Sequence, residues 1–192
     1  MEILVEIIDL RKSFDGVTVI NSLSLTVNKG EGIALMGSSG RGKTTLLRLI
    51  AGLEKPDGGS VRVYGKIAYM FQEPRLLPWK SVIDNVRAVL PKNKQMLAGK
   101  YIDAVGLSDA AKKLPRELSG GMAQRASFAR FLAFSEATDA DVLLLDEPFS
   151  ALDEDTAKIM IDILLKASHT KAIIAVTHDM RQAERLGRIV YI

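Results

Sequence analysis

Residues 3–8 and 17–27 are dense in Ile, Val, Leu and Thr and are divided by Asp15-Gly16, a pattern that predicts two strands joined by a turn. Gly32-Ile33-Ala34-Leu35-Met36 is a short apolar run that meets a Gly/Ser cluster. Beyond the cluster Leu46, Leu47, Leu49 and Ile50 fall at helical spacing, so strand, loop and helix follow in that order. Pro56-Asp57-Gly58-Gly59 predicts a turn, and residues 60–64 and 67–71 around Gly65 predict another strand pair, ending a first β-rich lobe near Phe71. From Glu73 to about Leu118 the spacing becomes helical and is broken by Pro74, Pro78, Pro91 and Pro115, which predicts a helical insertion of two or three helices. A helix after residue 121 through Phe134 leads to Val142-Leu143-Leu144-Leu145, and Ala172-Ile173-Ile174-Ala175-Val176 is a second unbroken apolar run. Such runs suit parallel strands covered on both faces. Helices are predicted over 155–168 and 179–187, and a further strand begins at Arg188.

Composition narrows the class. With 192 residues, 47% hydrophobic and 26% charged, the chain suits one packed domain and is too apolar for intrinsic disorder. The absence of cysteine excludes disulfides and thiolate metal sites. A net charge of +3 is too slight to imply nucleic acid without a site to go with it. No stretch approaches the ~20 apolar residues that cross a bilayer, and Met1 to Leu10 carries three acids, unlike a signal peptide. A cytosolic protein is expected, with peripheral membrane attachment open. Residues 73–131 hold eleven Lys/Arg against five Asp/Glu, whereas the charged residues of 132–157 are all acids. The basic stretch reads as a solvated helical face or as a phospholipid-facing patch.

Gly37-Ser38-Ser39-Gly40-Arg41-Gly42-Lys43-Thr44 fits G-x-x-x-x-G-K-[ST] and sits after an apolar strand and before a helix, where a phosphate loop has to be. Glycines let backbone N–H groups turn inward on phosphate, and the positive end of the following helix adds attraction. Lys43 is placed to reach the β- and γ-phosphates, Thr44 to ligate Mg²⁺, and Thr45 to make a further phosphate contact. The competing reading is a Gly/Ser-rich loop with a chance Lys-Thr. Asp146 directly follows Val142–Leu145, as the acid that holds the Mg²⁺ shell should. Glu147, next to it, is a candidate general base for the attacking water; by themselves the two acids could merely cap a loop. Nucleoside triphosphate binding is expected.

Leu118-Ser119-Gly120-Gly121-Met122, followed by Gln124-Arg125, resembles the signature motif of ATP-binding cassette (ABC) ATPases. Gln72, Asp146-Glu147-Pro148, Ser150-Ala151-Leu152-Asp153 and His178 follow the family's order, and the resemblance covers nearly the whole chain. It implies an α/β fold: a P-loop NTPase core with a mostly parallel sheet, an N-terminal antiparallel β subdomain and an inserted α-helical subdomain. The whole chain, 1–192, would be a single ABC ATPase domain, with 1–72 and 119–192 as the core and 73–118 as the insertion. By resemblance Phe14 stacks on adenine, with Val19 beside it in the nucleotide-binding set, Gln72 contacts Mg²⁺ and the attacking water, and His178 touches the γ-phosphate. His169 has no such match and reads as a surface residue. Ser119, Gly120 and Gly121 open a helix as an anion site whose anion, by resemblance, is the γ-phosphate held by a second subunit. Two cassettes would pair head-to-tail, a homodimer being the default, and Asp153 resembles the acid that reaches across. Met122 stands where the family usually has glutamine, which predicts weakened closure, and the chain ends as a further strand begins, which implies a compact cassette.

Phe71-Gln72-Glu73-Pro74-Arg75-Leu76-Leu77-Pro78-Trp79 resembles importers of the nitrate, sulfonate and taurine group. That implies transmembrane permease partners, an extracytoplasmic solute-binding protein, and a place on the inner face of the cell membrane. Leu76 and Trp79 either receive a helix of the permease or pack the insertion onto the core. Nucleic acid is disfavoured, since only 46 residues separate Gln72 from Ser119, too few for the coiled-coil arms of chromosome-maintenance relatives. The leading reading is the ATP-hydrolysing subunit of an importer. A nucleotide-gated interaction module with slow hydrolysis and a soluble cassette ATPase are the alternatives.

Overall fold

The computed structural model of the protein describes residues 2–192. Its strands are β1 (Ile3–Phe14), β2 (Val17–Asn28), β3 (Gly32–Met36), β4 (Gly58–Val63), β5 (Ile67–Met70), β6 (Val142–Asp146), β7 (Ala172–Val176) and β8 (Arg188–Tyr191). They form an antiparallel sheet of order β2-β1-β4 and a parallel sheet of order β5-β6-β7-β3-β8. The helices are α1 (Lys43–Ile50), α2 (Val82–Arg87), α3 (Ala98–Ala104), α4 (Gly120–Ala137), α5 (Glu154–Ala167) and α6 (Met180–Leu186).

Phe14 pairs with Val17, so Asp15 and Gly16 alone make the β1–β2 turn. Both have positive φ, 48° and 78°, the mirror-image turn whose twist suits a hairpin. The expected pairing of 60–64 with 67–71 is corrected: β4 joins β1 in the antiparallel sheet, and β5 joins β6 in the parallel one. The pivot is Gly65, at φ 124°, where an added Cβ would lie 2.3 Å from Asp141 Oδ2. That carboxylate accepts the Lys66 N–H at 2.8 Å, so the chain is turned between sheets at a point with no room for a side chain. Gly58 and Gly59, expected in a turn, open β4 instead.

β3, β6 and β7 are buried throughout apart from a partial exposure at Gly32, and their side chains alternate between two cores, as the period of two requires. Ile33, Leu35, Val142, Leu144, Ile174 and Val176 face α1 and the antiparallel sheet. Leu143, Leu145, Ile173 and Ala175 face Phe128 of α4, Leu164 of α5 and Val86 and Ile102 of the 73–118 segment. That segment contains two α-helices, α2 and α3, with 3₁₀ turns at Lys92–Leu97, Ser108–Ala110 and Pro115–Glu117. α4 extends past Phe134 to Ala137. Among the described residues no helix is long and apolar enough to cross a membrane.

Polar side chains stitch the segment after β5 in place. Asn85 is fully buried; its Oδ1 accepts the Leu77 N–H at 2.7 Å, and its amide donates to the carbonyls of Leu77, Lys80 and Ser81 at 3.0–3.2 Å. Arg130 of α4 donates to the carbonyls of Pro74 (2.8 Å) and Arg75 (2.9 Å). Exposed aspartates close other joints: Asp57 accepts from Ser13 N (2.7 Å) and Lys12 Nζ (3.1 Å), and Asp153 caps α5 by accepting from Thr156 N (2.9 Å) and Oγ1 (2.7 Å).

Asn85→Ala leaves buried carbonyls and an N–H unpaired and is expected to lower the unfolding free energy by about 2–4 kcal/mol in urea denaturation. The hydrogen bonds from Ser13 and Lys12 hold the Asp57 carboxyl below its ordinary value, and those from Thr156 do the same for Asp153. A folded-state value below the unfolded one contributes stability that is present above the ordinary carboxylate pKa and is lost as pH falls through the folded one. The melting temperature should therefore drop below about pH 4, and the drop should be shallower in Asp57→Asn and Asp153→Asn.

Candidate nucleotide-binding site

The loop between β3 and α1 is shaped by glycines. Gly37, Gly40 and Gly42 have φ of 143°, 81° and 89°, a region that side chains other than glycine rarely enter. An added Cβ at Gly42 would meet Val19 Cγ1 at 2.7 Å, so Val19 of β2 closes the loop from outside. Gly42 precedes α1 without a side-chain cap, which leaves the first-turn N–H groups free for an anion. Lys43, only 5% exposed, folds back so that Nζ donates to the carbonyls of Gly37 and Ser38, both at 2.8 Å. Arg41 Nε donates to Ser38 Oγ at 3.3 Å.

Opposite the loop stands the end of β6. Asp146 is 2% exposed, and its Oδ1 accepts the Thr44 hydroxyl at 3.1 Å. Burial pushes the Asp146 carboxyl above its ordinary value, with the hydrogen bond from Thr44 pulling it down, Glu147 pushing it up, and Arg48 and Lys43 lowering it. Glu147 has φ 47°, a strained backbone for a residue with a side chain. Its two carboxylate oxygens are both engaged: Gln72 Nε2 donates to Oε2 at 3.3 Å, and His178 Nε2 lies 3.1 Å from Oε1. His178 is set by its neighbours, since Thr177 Oγ1 accepts the Asp179 N–H at 3.1 Å and Asp179 caps α6.

Val19, Ser39, Gly40, Gly42, Lys43, Thr44, Thr45, Gln72, Glu147 and His178 line one cavity of 360 Å³. Most of the residues singled out in the sequence thus meet, and Asp146 reaches them through Thr44. Phe14, 42% exposed with Lys12 Nζ 4.9 Å above its ring, does not line the cavity. Ser119, Gly120 and Gly121 do not line it either. Ser119 and Gly120 are exposed at the start of α4, and Ser119 Oγ accepts the Met122 N–H at 3.3 Å. The Met122 side chain packs on the hydrophobic core. His169 is exposed.

Gln124 is a positioning residue to which the sequence assigned no role. It is 3% exposed and donates to the Pro148 carbonyl at 3.0 Å, holding the strained Glu147-Pro148 backbone against α4. Its place two residues beyond Met122 was its only signal. The two open readings of residues 76–79 divide: Leu76 packs on the core, whereas Trp79 is 73% exposed. Phe71, Pro74, Arg75, Val89, Phe131 and Phe134 line a groove of 300 Å³, with the Arg75 guanidinium 3.9 Å above the Phe71 ring.

Among the described residues no group of three or more His, Asp or Glu side chains could hold a metal ion alone. A cation at Thr44 and Asp146 must share its ligands with phosphate and water. One buried carboxylate and one hydroxyl in contact are the hard oxygen donors that suit Mg²⁺ in such a shared site.

Comparison with known proteins places this geometry. The chain matches the model of the ABC transporter family over residues 20–150. It is 46% identical over 189 residues to the aliphatic sulfonates import ATP-binding protein SsuB 1 of Nocardia farcinica, covering 96% of this chain and 76% of that protein. It is 43% identical over 192 residues to the SsuB 2 protein of Agrobacterium fabrum, covering 95% and 73%. Among solved structures, a dimeric ATP-binding cassette in a post-hydrolysis state with ADP and phosphate superposes with a TM-score of 0.87 at 26% identity, covering 98% of this chain and 94% of that one. A phosphate loop, an Asp-Glu pair, a Gln and a His converging on one cavity, in a chain that shares this family's model over more than half its length, make the protein a member of the ABC transporter family.

Proposed function

We propose that the protein is the ATP-hydrolysing subunit of an importer for sulfonate-like anions, a solute class taken from relatives that are aliphatic sulfonate import proteins. The observation that carries the hydrolytic role is Glu147, held between Gln72 and His178 at the mouth of the phosphate loop. Residues 37–45 cradle the phosphates, with Lys43 leaving the Gly37 and Ser38 carbonyls for the more strongly charged β- and γ-phosphates. Phe14 and Val19 lie on the adenine side. Thr44, Asp146 and Gln72 would hold Mg²⁺, which would neutralise phosphate charge when bound.

In the arrangement described here each Glu147 oxygen is engaged by one neighbour, Gln72 at Oε2 and His178 at Oε1, and each keeps a second lone pair that can accept a proton. The γ-phosphate would compete for the His178 side chain, and Gln72 would turn its amide oxygen toward Mg²⁺ and the attacking water. Glu147 is then free to take a proton from the attacking water as its oxygen bonds to the γ-phosphorus, with ADP and phosphate as products. Ser119, Gly120 and Gly121, the first two exposed and none of them lining the cavity of their own chain, close on the nucleotide of a second copy head-to-tail. The dimeric state of the structural relative supports this reading. The 1–72 and 119–192 segments serve as the core and 73–118 as the helical insertion.

The exposed Trp79, and the groove lined by Phe71, Pro74 and Arg75 of the same stretch of chain, suit a helix of a transmembrane permease, which would hold the protein at the inner face of the membrane, with a solute-binding protein delivering substrate on the other side.

Glu147→Gln should retain Mg-ATP binding but lose hydrolysis by at least about 100-fold, and light scattering after size exclusion should show a dimer with Mg-ATP and a monomer without. A monomer in both conditions counts against the composite site. Trp79→Ala should abolish co-purification with the permease while leaving ATP affinity and melting temperature near wild type; equal loss of folding would sink the docking role.

A further inference from the structure

His178 meets the Glu147 carboxylate with little packed around it. Its side chain is 43% exposed, and with Glu147 it lines both the nucleotide cavity and a second cavity of 380 Å³ walled by Phe149, Ser150, Thr177 and Gln182. An imidazole bordered by two cavities is not fixed by close packing. What presents its Nε2 at 3.1 Å from Glu147 Oε1 therefore acts through the backbone on either side of it.

That backbone is held by a closed circuit of hydrogen bonds. Thr177, 4% exposed, follows β7, and its N–H donates to the Leu35 carbonyl of β3 at 3.3 Å. Its hydroxyl oxygen accepts the Asp179 N–H at 3.1 Å, and its hydroxyl proton goes to Gln182 Oε1 at 2.7 Å. The Gln182 N–H in turn donates to Asp179 Oδ1 at 3.3 Å, beside the Arg181 N–H at 2.8 Å. Capping of α6 needs only the Asp179 carboxylate, so the Gln182 side chain is the one member of the circuit that the cap does not require. Its effect falls on Thr177. A hydroxyl has a single proton to give; with that proton committed to Gln182, a lone pair is turned on the Asp179 N–H, and the chain is held on both sides of His178.

We propose that Gln182 is a positioning residue for His178. By anchoring the Thr177 hydroxyl from the first turn of α6, it fixes the 177–179 backbone, so that the imidazole passes between Glu147 and a γ-phosphate by rotating about its own side-chain bonds, without movement of the loop. Precision of this kind matters to rate, since a misplacement of about 1 Å can cost on the order of 100-fold. The inference rests on the reading of His178 as the residue that meets the γ-phosphate.

His169 and His178 are the only histidines of the chain, so His169→Gln leaves one imidazole to observe. In that background the test records the ¹H–¹³C imidazole signal of His178 in the nucleotide-free full chain, and kcat and KM for Mg-ATP hydrolysis, for the parent, Gln182→Met, Gln182→Glu, Thr177→Val and His178→Ala. Gln182→Met has a similar length without the oxygen acceptor, and is expected to shift the His178 signal and lower kcat about tenfold with KM for ATP unchanged. Thr177→Val removes the other end of the same bond and is expected to match it, which keeps the test open if Gln182→Met does not fold. Gln182→Glu keeps an oxygen acceptor at the same reach and is expected to restore signal and kcat. A parent-like kcat in Gln182→Met overturns the role of Gln182, and so does a lowered kcat with the His178 signal unmoved. Failure of Gln182→Glu to restore either overturns the acceptor role. Full turnover in His178→Ala overturns the reading of His178 itself and this proposal with it, whereas an inactive His178→Ala beside a fully active Gln182→Met removes Gln182 alone.

Discussion

A carboxylate buried at the end of a central strand constrains what surrounds it. Asp146, at 2% exposure, is out of water, where an acid has to be hydrogen-bonded or set near positive charge to be tolerated. The hydrogen bond comes from Thr44, 102 residues away in sequence, and it pins the first turn of α1 to the tip of β6. Both neighbours of that bond are placed by it. Lys43, one residue before Thr44, is carried into the phosphate loop, and Glu147, one residue after Asp146, is turned out of the strand at φ 47° to the mouth of the cavity. The strain at Glu147 is sustained by its surroundings: Gln124 holds the next carbonyl, and Gln72 and His178 hold the side chain.

The parallel sheet is a wall with a different core on each side. One core joins it to α1 and the antiparallel sheet, where nucleotide-facing groups sit on rigid elements. The other contains Leu143 and Leu145 of β6 together with Phe128 of α4, Val86 of α2 and Ile102 of α3. The 73–118 segment has no separate core; it shares this one with the sheet and α4. Arg130 and Asn85 add polar ties between α4 and residues 74–81. A partner seated beside Trp79 would therefore press on the helix whose first turn displays Ser119.

The sequence made the hairpin at Asp15-Gly16 readable because a two-residue Asp-Gly turn has few other solutions. It made the inner strands readable because only doubly covered strands are apolar at every position. The fate of residues 60–71 was not readable. Residues 60–63 alternate and 67–71 are apolar throughout, yet two strands flanking a glycine read as a hairpin; the change of sheet falls at Gly65, where Asp141, distant in sequence, leaves no room for a side chain. Leu76 and Trp79 were likewise indistinguishable as apolar residues among prolines, until the burial of one and the exposure of the other separated them. Of the candidate site, the loop and the acids were legible from spacing, but the bonds that tie Glu147 to Gln72 and His178, and the support from Gln124, depend on elements brought together only by folding.

The signature segment and the loop after Glu147 are one surface. A Cβ added to Gly121 would lie 3.1 Å from the Ala151 carbonyl and 3.6 Å from Leu152 Cδ2, so the start of α4 rests on residues 151–152 with no side chain between. Ser150 Oγ donates to the Glu147 carbonyl at 3.1 Å, and Asp153 caps α5 immediately beyond. The chain thus runs from the proposed base to the face offered to a second copy in four residues, each fixed by a hydrogen bond or a close backbone contact. Under the proposed function, a shift of Glu147 on arrival of a γ-phosphate would be passed through these contacts to Ala151 and Gly121. By the same contacts, a second copy closing on Ser119 as proposed would press on the backbone that holds Glu147 and link nucleotide state to assembly state.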